Sequence, residues 1–196
     1  MKRTITPQRE DLITVFLERN QQINLSALRD RDSVWQKHII DSLIWYEIFS
    51  ELFTANKNIV DIGTWWWFPL LPLAMQCPLC TFTWIDARKK KIIAINEMIA
   101  TLKIPNCTAV RSRIEEHNKR YDLVTARAVT YADQLLERSL PVLKKWWHML
   151  FWKMFTFEED ATIREHLYKH NLTLVATHTY TLTDDTTQRM LYLIKK

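Results

Sequence analysis

The chain has 196 residues, 47% of them hydrophobic and 25% charged, which fits one globular α/β domain with a sizeable core and a short extension. No apolar run reaches the roughly 18 residues of a membrane span, and residues 1–20 lack the apolar core of a signal peptide, so we expect a cytoplasmic protein. The net charge of +5 favours an anionic partner such as nucleic acid, although many globular proteins are mildly basic.

Two helices are predicted ahead of the first strand. Apolar residues recur at helical spacing over residues 8–22 and predict a first amphipathic helix. A turn follows at residues 24–26, and Ser33 is placed to cap a second helix. We expect residues 1–55 to form an N-terminal helical extension that packs on a main domain, residues 56–196.

From residue 58 onward, strands alternate with helices. Strands are predicted at 58–62, 81–85, 107–110, 121–125 and 148–153, and helices at 69–76, 88–102, 132–143 and 158–169. Two β-rich segments, 172–181 and 189–194, end the chain without a helix between them and predict an antiparallel hairpin at one edge of the sheet. The expected fold class is therefore α/β, with a doubly wound, mostly parallel sheet covered by helices on both faces.

Candidate ligand-binding residues follow the strands, because ligands of a doubly wound sheet bind beyond the carboxyl ends of its strands. Asp86 ends the second strand, where a carboxylate can accept hydrogen bonds from both hydroxyls of a ribose. It could instead cap the following helix, and we favour the ribose. Glu115 follows the third strand and could contact an adenine edge or form a solvated acidic pair with Glu116. Asp61, at the end of the first strand, could fix the backbone of the loop that follows.

Basic residues follow two of the predicted strands. Arg127 comes after the fourth strand, where its cation would face the reaction site and could hold a phosphate or a base edge. A surface arginine is the alternative. Residues 88–91 are a run of four basic residues at the start of a helix, and a solvated helix face is the default interpretation of such a run.

The sequence offers little for metal or hydrolytic chemistry. Cys77 and Cys80 form a C-x-x-C pair, but no second pair and no nearby histidine completes a zinc site, so we expect structural thiols between a helix and a strand. His38 and Asp41 lie three residues apart on one helix face, yet the sequence places no nucleophile to complete a triad with them. We therefore expect no metal.

Four short motifs occur in order along the chain. They are Asn24-Leu25-Ser26-Ala27, His38-Ile39-Ile40-Asp41-Ser42-Leu43, Asp61-Ile62-Gly63-Thr64 with Phe68-Pro69, and Arg127-Ala128. In these motifs, and from about residue 10 to the end, the chain resembles the small-subunit rRNA methyltransferase G family, also called glucose-inhibited division protein B. The corresponding family motifs are N-L-T-A, R-H-x-x-D-S, G-T-G-x-G-F-P-G and s-R-A, at the same spacing.

The resemblance implies a class I methyltransferase fold, which is Rossmann-like, and methyl transfer from S-adenosylmethionine to N7 of a guanine in the decoding-region loop of small-subunit (16S) rRNA. The residues that it implies at the cofactor are Asp61, Gly63, Thr64, Trp65, Trp67, Phe68, Asp86, Ile114, Glu115 and Arg127. Asp61 could meet the amino group of the methionine moiety, Asp86 would take the ribose, and Ile114 and Glu115 would lie on the adenine side. Arg127 would also position the substrate and the methyl group. The residues implied at the RNA are His38, Arg127 and Lys153.

The implied reaction suits a chain with few candidate acids and bases. Guanine N7 carries a free lone pair, so catalysis can rest on aligning N7, the methyl carbon and the sulfur, and needs no general base. Substrate selection would then depend on RNA shape and unstacked bases. Two rivals stay open: a methyltransferase of the same fold with a small-molecule or protein substrate, and a non-catalytic rRNA-binding or assembly factor. A nucleotide-dependent dehydrogenase is less favoured because its G-x-G-x-x-G motif differs. We expect a monomer.

Tryptophan stands where the family has glycine. The glycine-rich cofactor loop reads Gly63-Thr64-Trp65-Trp66-Trp67-Phe68-Pro69, and a K-x-G-G turn expected before the fifth strand reads Lys144-Lys145-Trp146-Trp147. The chain has one glycine and nine tryptophans, whereas an average usage of about 7% would give roughly 14 glycines. Glycine allows positive φ and close approach of the backbone to a cofactor, and tryptophan does not.

Three explanations of the tryptophans differ in their consequences. They could form an aromatic platform for RNA bases, or mark a degenerate relative that has lost its cofactor. We favour a third hypothesis, in which UGA codons that the cell reads as glycine were translated as tryptophan, because it accounts for both unusual counts. The positions that it would restore to glycine are Trp65, Trp66, Trp67, Trp146 and Trp147, with Trp84 a less certain sixth. Trp35 fits an amphipathic helix and is expected to be genuine, and the pattern does not decide Trp45 and Trp152.

Overall fold

The computed structural model describes residues 6–24, 26–62, 68–127, 132–183 and 185–195, without the side chains of residues 132–135 and 146. Helices and strands alternate after an all-helical start. The helices are α1 (Pro7–Ile23), α2 (Arg31–Val34), α3 (Asp41–Ile48), α4 (Leu70–Gln76), α5 (Lys89–Thr101), α6 (Ala132–Ser139) and α7 (Phe157–Lys169). The strands are β1 (Asn58–Ile62), β2 (Thr81–Asp86), β3 (Cys107–Arg111), β4 (Tyr121–Arg127), β5 (Leu143–Met154), β6 (Thr173–Tyr180) and β7 (Arg189–Lys195).

The seven strands form one sheet in the order β3-β2-β1-β4-β5-β7-β6. The five strands from β3 to β5 are parallel, whereas β7 runs antiparallel to both β5 and β6. The predicted α/β class, the parallel sheet and the antiparallel edge hairpin are confirmed. The strand order reverses between β1 and β4, and this reversal is the place where a doubly wound sheet opens a crevice for ligands.

Helices cover both faces of the sheet. One apolar core joins the sheet to α1, α3, α4 and α5, and it contains Phe16, Trp45, Phe82 and Ile95. The second core lies under α6 and α7 and contains Leu136 and Ile163. Residues of the N-terminal helices therefore share a core with the sheet. None of the helices in the described ranges is long and apolar enough to cross a membrane.

The second N-terminal helix begins differently from the prediction. Asp30, and not Ser33, is its N-cap: the Asp30 side chain accepts a hydrogen bond from the Ser33 backbone N–H at 2.7 Å. Asp30 has an extended backbone, so its carboxylate can reach back to the first turn, whereas Ser33 already lies inside the helix. A π-helical turn, Trp35–Ile40, then connects α2 to α3 and carries His38.

The start of β5 also departs from the prediction, which placed a turn before residue 148. β5 begins at Leu143, which pairs with Tyr121, and the next pair is Leu123 with His148. Residues 144–147 of β5 therefore stand opposite the single residue Asp122 of β4, an irregularity of the β-bulge kind. Glycine commonly marks such irregularities in strands, whereas Trp147 is 7% exposed and belongs to the second core, so its packing does not itself favour glycine.

Three tryptophans outside the two glycine-like turns are well packed. Trp45 on α3 is 0% exposed and Trp84 on β2 is 1% exposed, and both belong to the core beneath the N-terminal helices. The indole Nε1 of Trp152 donates a hydrogen bond to the Tyr180 hydroxyl at 2.7 Å. A glycine at any of these positions would leave a large void or an unpaired polar group, so their packing favours genuine tryptophan.

Candidate active site at the carboxyl edge of the sheet

The candidate site lies where the strand order reverses. Because β1, β2 and β4 are parallel neighbours, their carboxyl ends meet at one edge and bring Asp61, Asp86 and Arg127 to that edge. The register pairs Asp61 with Thr125 across β1 and β4. The loop that follows β1 contains Gly63, Thr64, Trp65 and Trp67, and these predicted cofactor residues lie outside the described part of the chain.

Asp61 is a buried carboxyl group that is hydrogen-bonded to Thr125. It is 4% exposed, and its Oδ1 accepts a hydrogen bond from the Thr125 hydroxyl at 2.7 Å. Burial raises the pKa of Asp61 to about 7, while the Thr125 hydrogen bond and the Arg127 charge act in the opposite direction. Within the described residues, Asp61 forms no ion pair. A cationic ligand bound here could therefore form an ion pair with Asp61, and its charge would favour the ionised form of the carboxyl group.

The free energy of unfolding should fall between about pH 4 and pH 7 because of Asp61. The folded chain holds the Asp61 proton up to about pH 7, whereas the unfolded chain releases it near the ordinary carboxyl pKa of 3.8. The stabilisation is therefore complete below about pH 4 and is lost as the pH rises to 7, by on the order of a few kcal/mol. In Asp61→Asn, the free energy of unfolding measured with urea should not show this decrease between pH 4 and pH 7. Identical slopes in the two proteins would contradict the prediction.

Asp86 is not the N-cap of α5, which is Arg88, but its carboxylate contacts the start of that helix. Its Oδ1 accepts a hydrogen bond from the backbone N–H of Arg88 at 2.7 Å, and its Oδ2 lies 3.3 Å from the Lys91 Nζ. The contact at the start of α5 is therefore present. A carboxylate has lone pairs for further donors, so these contacts leave it able to accept ribose hydroxyls. The ribose role stays a prediction.

Ile114 and Glu115 lie on a short 3-10 turn, Ile114–Glu116, beyond β3. The Ile114 side chain is buried, whereas Glu115 pairs with Arg138 Nε at 3.0 Å and remains about half exposed. The backbone N–H of Ser112 donates to the Asp86 carbonyl at 3.3 Å and brings this turn beside the end of β2. Ile114 can thus supply an apolar surface next to Asp86, and the adenine roles stay predictions.

Phe68 links the end of the cofactor loop to the N-terminal helices. Its ring is 1% exposed, stacks on His38 with centroids 4.5 Å apart, and meets Phe16 edge-on at 5.5 Å. The peptide bond between Phe68 and Pro69 is cis. The N-terminal helices therefore fix the position at which the chain leaves the cofactor loop.

His38 is a neutral packing group in this arrangement. Its Nδ1 lies 3.1 Å from the Lys37 carbonyl and its Nε2 lies 3.4 Å from the Ser26 hydroxyl. Burial, and next the Arg127 charge, lower the pKa of His38 to about 3. A neutral and buried imidazole offers no cation to an RNA phosphate, which is unfavourable for the predicted RNA contact.

Arg127 is held by contacts with Asp41, Lys37 and Trp152. Its Nη2 lies 2.6 Å from the Asp41 Oδ2 and donates a hydrogen bond to the Lys37 carbonyl at 2.8 Å. The guanidinium also stands over the Trp152 ring, 5.0 Å from the centroid, and the side chain is 11% exposed. Arg127 does reach the predicted edge of the sheet, but it does so as a buried member of a polar network.

Asp41 is the centre of that network and was not predicted as a site residue. It is 0% exposed, and its Oδ1 accepts a hydrogen bond from the Tyr180 hydroxyl at 2.6 Å. Arg189 Nε lies 3.7 Å from the same oxygen, and Arg189 also forms an ion pair with Asp185. The family motif at residues 38–43 contains Asp41 but did not reveal this role, because the partners lie 86 to 148 residues away in the sequence.

Lys153 was predicted near the methyl group or the RNA. It lies on β5 and its side chain is 11% exposed. Its Nζ forms an ion pair with Glu159 at the start of α7. An RNA phosphate would have to compete with this carboxylate for the ammonium group, and the RNA role stays a prediction.

The cysteines and acidic groups give no sign of a metal site. In the described part of the chain, no three His, Cys, Asp or Glu side chains are grouped so that they could hold a metal ion. Cys77 follows α4 and Cys80 precedes β2, as expected for structural thiols, and both are buried. Burial raises the pKa of Cys77 to about 12, which disfavours a reactive thiolate.

Comparison with protein families and curated proteins finds consistent similarities. The family described as rRNA small subunit methyltransferase G matches residues 6–191. A protein named Ribosomal RNA small subunit methyltransferase G from Macrococcus caseolyticus is 31% identical over 189 residues, which are 92% of this chain and 78% of that protein. A protein of the same name from Nostoc punctiforme is 35% identical over 146 residues, which are 70% of this chain and 60% of that protein. The match thus spans less than two thirds of the Nostoc protein.

Solved structures with a similar fold include two methyltransferases. A magnesium protoporphyrin IX methyltransferase from Synechocystis PCC 6803 with bound SAH has a TM-score of 0.65 at 14% identity, over 96% of this chain and 100% of that chain. A ribosomal protein L11 methylase from Lactobacillus delbrueckii subsp. bulgaricus has a TM-score of 0.64 at 12% identity, over 85% of this chain and 79% of that chain. At such identities the likeness concerns the fold alone.

Proposed function

The chain belongs to the rRNA small subunit methyltransferase G family, and we propose that it methylates N7 of a guanine in the decoding-region loop of small-subunit rRNA. It is an S-adenosylmethionine-dependent rRNA methyltransferase with the class I fold. The observation that carries the proposal for the site is the meeting of Asp61, Asp86 and Arg127 at the edge where the strand order reverses.

The residues at this edge fit S-adenosylmethionine. Asp61 is a buried carboxyl without an ion-pair partner in the described ranges, and the cofactor brings an ammonium and a sulfonium cation. Asp86 would accept hydrogen bonds from the ribose, and Ile114 would pack on the adenine with Glu115 beside it. When bound, S-adenosylmethionine supplies an electrophilic methyl group.

The protein would contribute alignment and exclusion of water, because a guanine N7 lone pair needs no deprotonation. Arg127 has a fixed guanidinium at the end of β4 and would orient the substrate there through its remaining exposed surface. His38 would act indirectly, by holding Phe68 at the end of the cofactor loop. Lys153 would bind an RNA phosphate if its ammonium group left the ion pair with Glu159.

We propose that residues 1–55 act as an extension that completes the site of a main domain, residues 56–196. The contacts of Asp41 with Arg127 and of His38 with Phe68 support the packing of this extension against the site. The net charge of +5 suits an RNA substrate. We further propose that the protein acts as a monomer in the cytoplasm, where ribosomal subunits are assembled.

The test is methyl transfer from labelled S-adenosylmethionine to small-subunit particles or their rRNA, with large-subunit rRNA as the control. The experiment includes the chain as written and a form with glycine at positions 65, 66, 67, 146 and 147. We expect label in small-subunit rRNA from the glycine form. RNA binding without transfer by that form would indicate an assembly factor, and transfer only to protein or small molecules would indicate a different substrate class.

A further inference from the structure

The polar network around Asp41 connects Arg127 at the end of β4 to Tyr180 at the end of β6. Resting on the proposed function, we infer that Asp41 and Tyr180 are positioning residues, which hold the Arg127 guanidinium at the carboxyl end of β4 for methyl transfer. Neither would touch the cofactor or the guanine. Asp41 contacts Arg127 directly at 2.6 Å, and Tyr180 contacts Asp41 at 2.6 Å.

Burial makes this arrangement specific. Asp41 is 0% exposed and the Arg127 side chain is 11% exposed, so water cannot replace their mutual contact. A buried charge without its partner is strongly unfavourable, so each of the two groups fixes the other. The second Asp41 oxygen is occupied by the Tyr180 hydroxyl, with Arg189 nearby at 3.7 Å.

Two hydrogen bonds, one ion pair and one cation-π contact connect four side chains, and Asp41 receives the Tyr180 hydroxyl on one oxygen and the Arg127 cation beside the other. Trp152 Nε1 donates to the Tyr180 oxygen, Tyr180 donates to Asp41, and Asp41 pairs with Arg127, whose guanidinium returns to the Trp152 ring. Burial, and next the Asp41 charge, raise the pKa of Tyr180 above its ordinary value. Tyr180 therefore stays protonated and serves as a donor throughout the physiological pH range.

The topology explains why these residues meet. Arg127 and Tyr180 are the last residues of β4 and β6, and Trp152 lies opposite Arg127 on β5. β6 runs parallel to β5 because each is antiparallel to β7, so all three residues lie at the same edge. Asp41, at the start of α3, covers that edge from the N-terminal side. The position of Arg127 thus depends on both ends of the chain.

The decisive experiment is a double-mutant cycle on methyl transfer in the form of the protein that methylates rRNA. Asp41→Asn should lower kcat about 10-fold or more, and Tyr180→Phe about 3- to 10-fold, with KM for S-adenosylmethionine changed less than about 2-fold. In an Arg127→Gln background neither substitution should lower kcat further. Equal losses in both backgrounds would overturn the inference, because they would mean that the two residues do not act through Arg127.

Matched controls separate positioning from general damage. Asp32→Asn removes an exposed carboxylate from the same N-terminal region, and Tyr168→Phe removes an exposed hydroxyl, so both should keep the full kcat. Tyr180→Phe preserves the ring and keeps the inference testable if Asp41→Asn fails to fold, which thermal unfolding would reveal.

A readout independent of activity distinguishes this inference from the proposed function. The guanidinium Nη–H signals of Arg127 in the NMR spectrum should exchange slowly with water in the parent protein and rapidly in Asp41→Asn and Tyr180→Phe, because Nη2 makes the contact with Asp41. If the signal responds in this way but rRNA is not methylated, then the proposed function is wrong. The result would still support the inference that Asp41 and Tyr180 hold the Arg127 side chain. If rRNA is methylated but the signal is unchanged in both variants, then the inference fails alone.

Discussion

The triple substitution Trp65→Gly, Trp66→Gly and Trp67→Gly is expected to tighten S-adenosylmethionine binding by about 100-fold or more. A left-handed backbone costs a non-glycine residue roughly 1–2 kcal/mol. If binding requires this conformation at two of the three positions, the summed cost corresponds to about 100-fold in affinity. Indole bulk in a loop that must approach the methionine end of the cofactor adds to this loss. Calorimetric titration of both forms with S-adenosylmethionine measures the difference.

A triple alanine variant is the matched control, because it removes the indoles but keeps the Cβ atoms. We expect it to bind with intermediate affinity, since it relieves the bulk and leaves the backbone cost. Tight binding by the chain as written would contradict the prediction. The codons give a second check: UGA at positions 65–67 would support recoded glycine, and UGG would refute it.

Arg127→Met is expected to lower methyl transfer about 100-fold or more and to lower the free energy of unfolding by about 3–5 kcal/mol. The substitution leaves Asp41, which is 0% exposed, as a buried carboxylate without its nearest cation. Arg189 stays at 3.7 Å and is itself paired with Asp185, so it replaces Arg127 only in part. Urea unfolding and single-turnover methyl transfer measure the two effects.

The Asp41→Asn/Arg127→Met double variant is the control for this stability loss. It removes both charges, so it should regain part of the stability that Arg127→Met alone has lost, while methyl transfer stays low. Recovery of methyl transfer in the double variant would show that Arg127 contributes only to folding. An unchanged free energy of unfolding in Arg127→Met would show that the ion pair with Asp41 does not stabilise the fold.

The sequence predicted those site residues whose positions follow from strand ends. Asp61, Asp86 and Arg127 were found because parallel strands bring their carboxyl ends together, whatever the helices between them contain. The elements from β1 to β7 were likewise visible, since strands of this sheet alternate with amphipathic helices. The end of α6 was placed too late, because Pro141 follows Ser139 closely and converts the last turn into a 3-10 helix.

Contacts between distant parts of the chain could not be predicted in the same way. Asp41 and Tyr180 are 139 residues apart, and only the folded sheet edge brings them together. The burial of His38 between Phe16 and Phe68 depends on how α1 packs, which the spacing of apolar residues does not specify. Only the family motif identified the positions at which tryptophan replaces glycine. Composition alone shows an excess of tryptophan but does not explain it.

The most direct test of the account is analysis of the methylated nucleoside. Small-subunit rRNA is incubated with S-adenosylmethionine and the form of the protein that carries glycine at positions 65, 66, 67, 146 and 147. The rRNA is then digested, its modified nucleosides are identified by mass spectrometry, and the modified site is located by mapping of fragments. We predict 7-methylguanosine at a guanine of the decoding-region loop, formed at least about 100-fold more slowly by the Arg127→Met variant. A methyl group on another base, on a ribose hydroxyl or outside that loop would contradict the account.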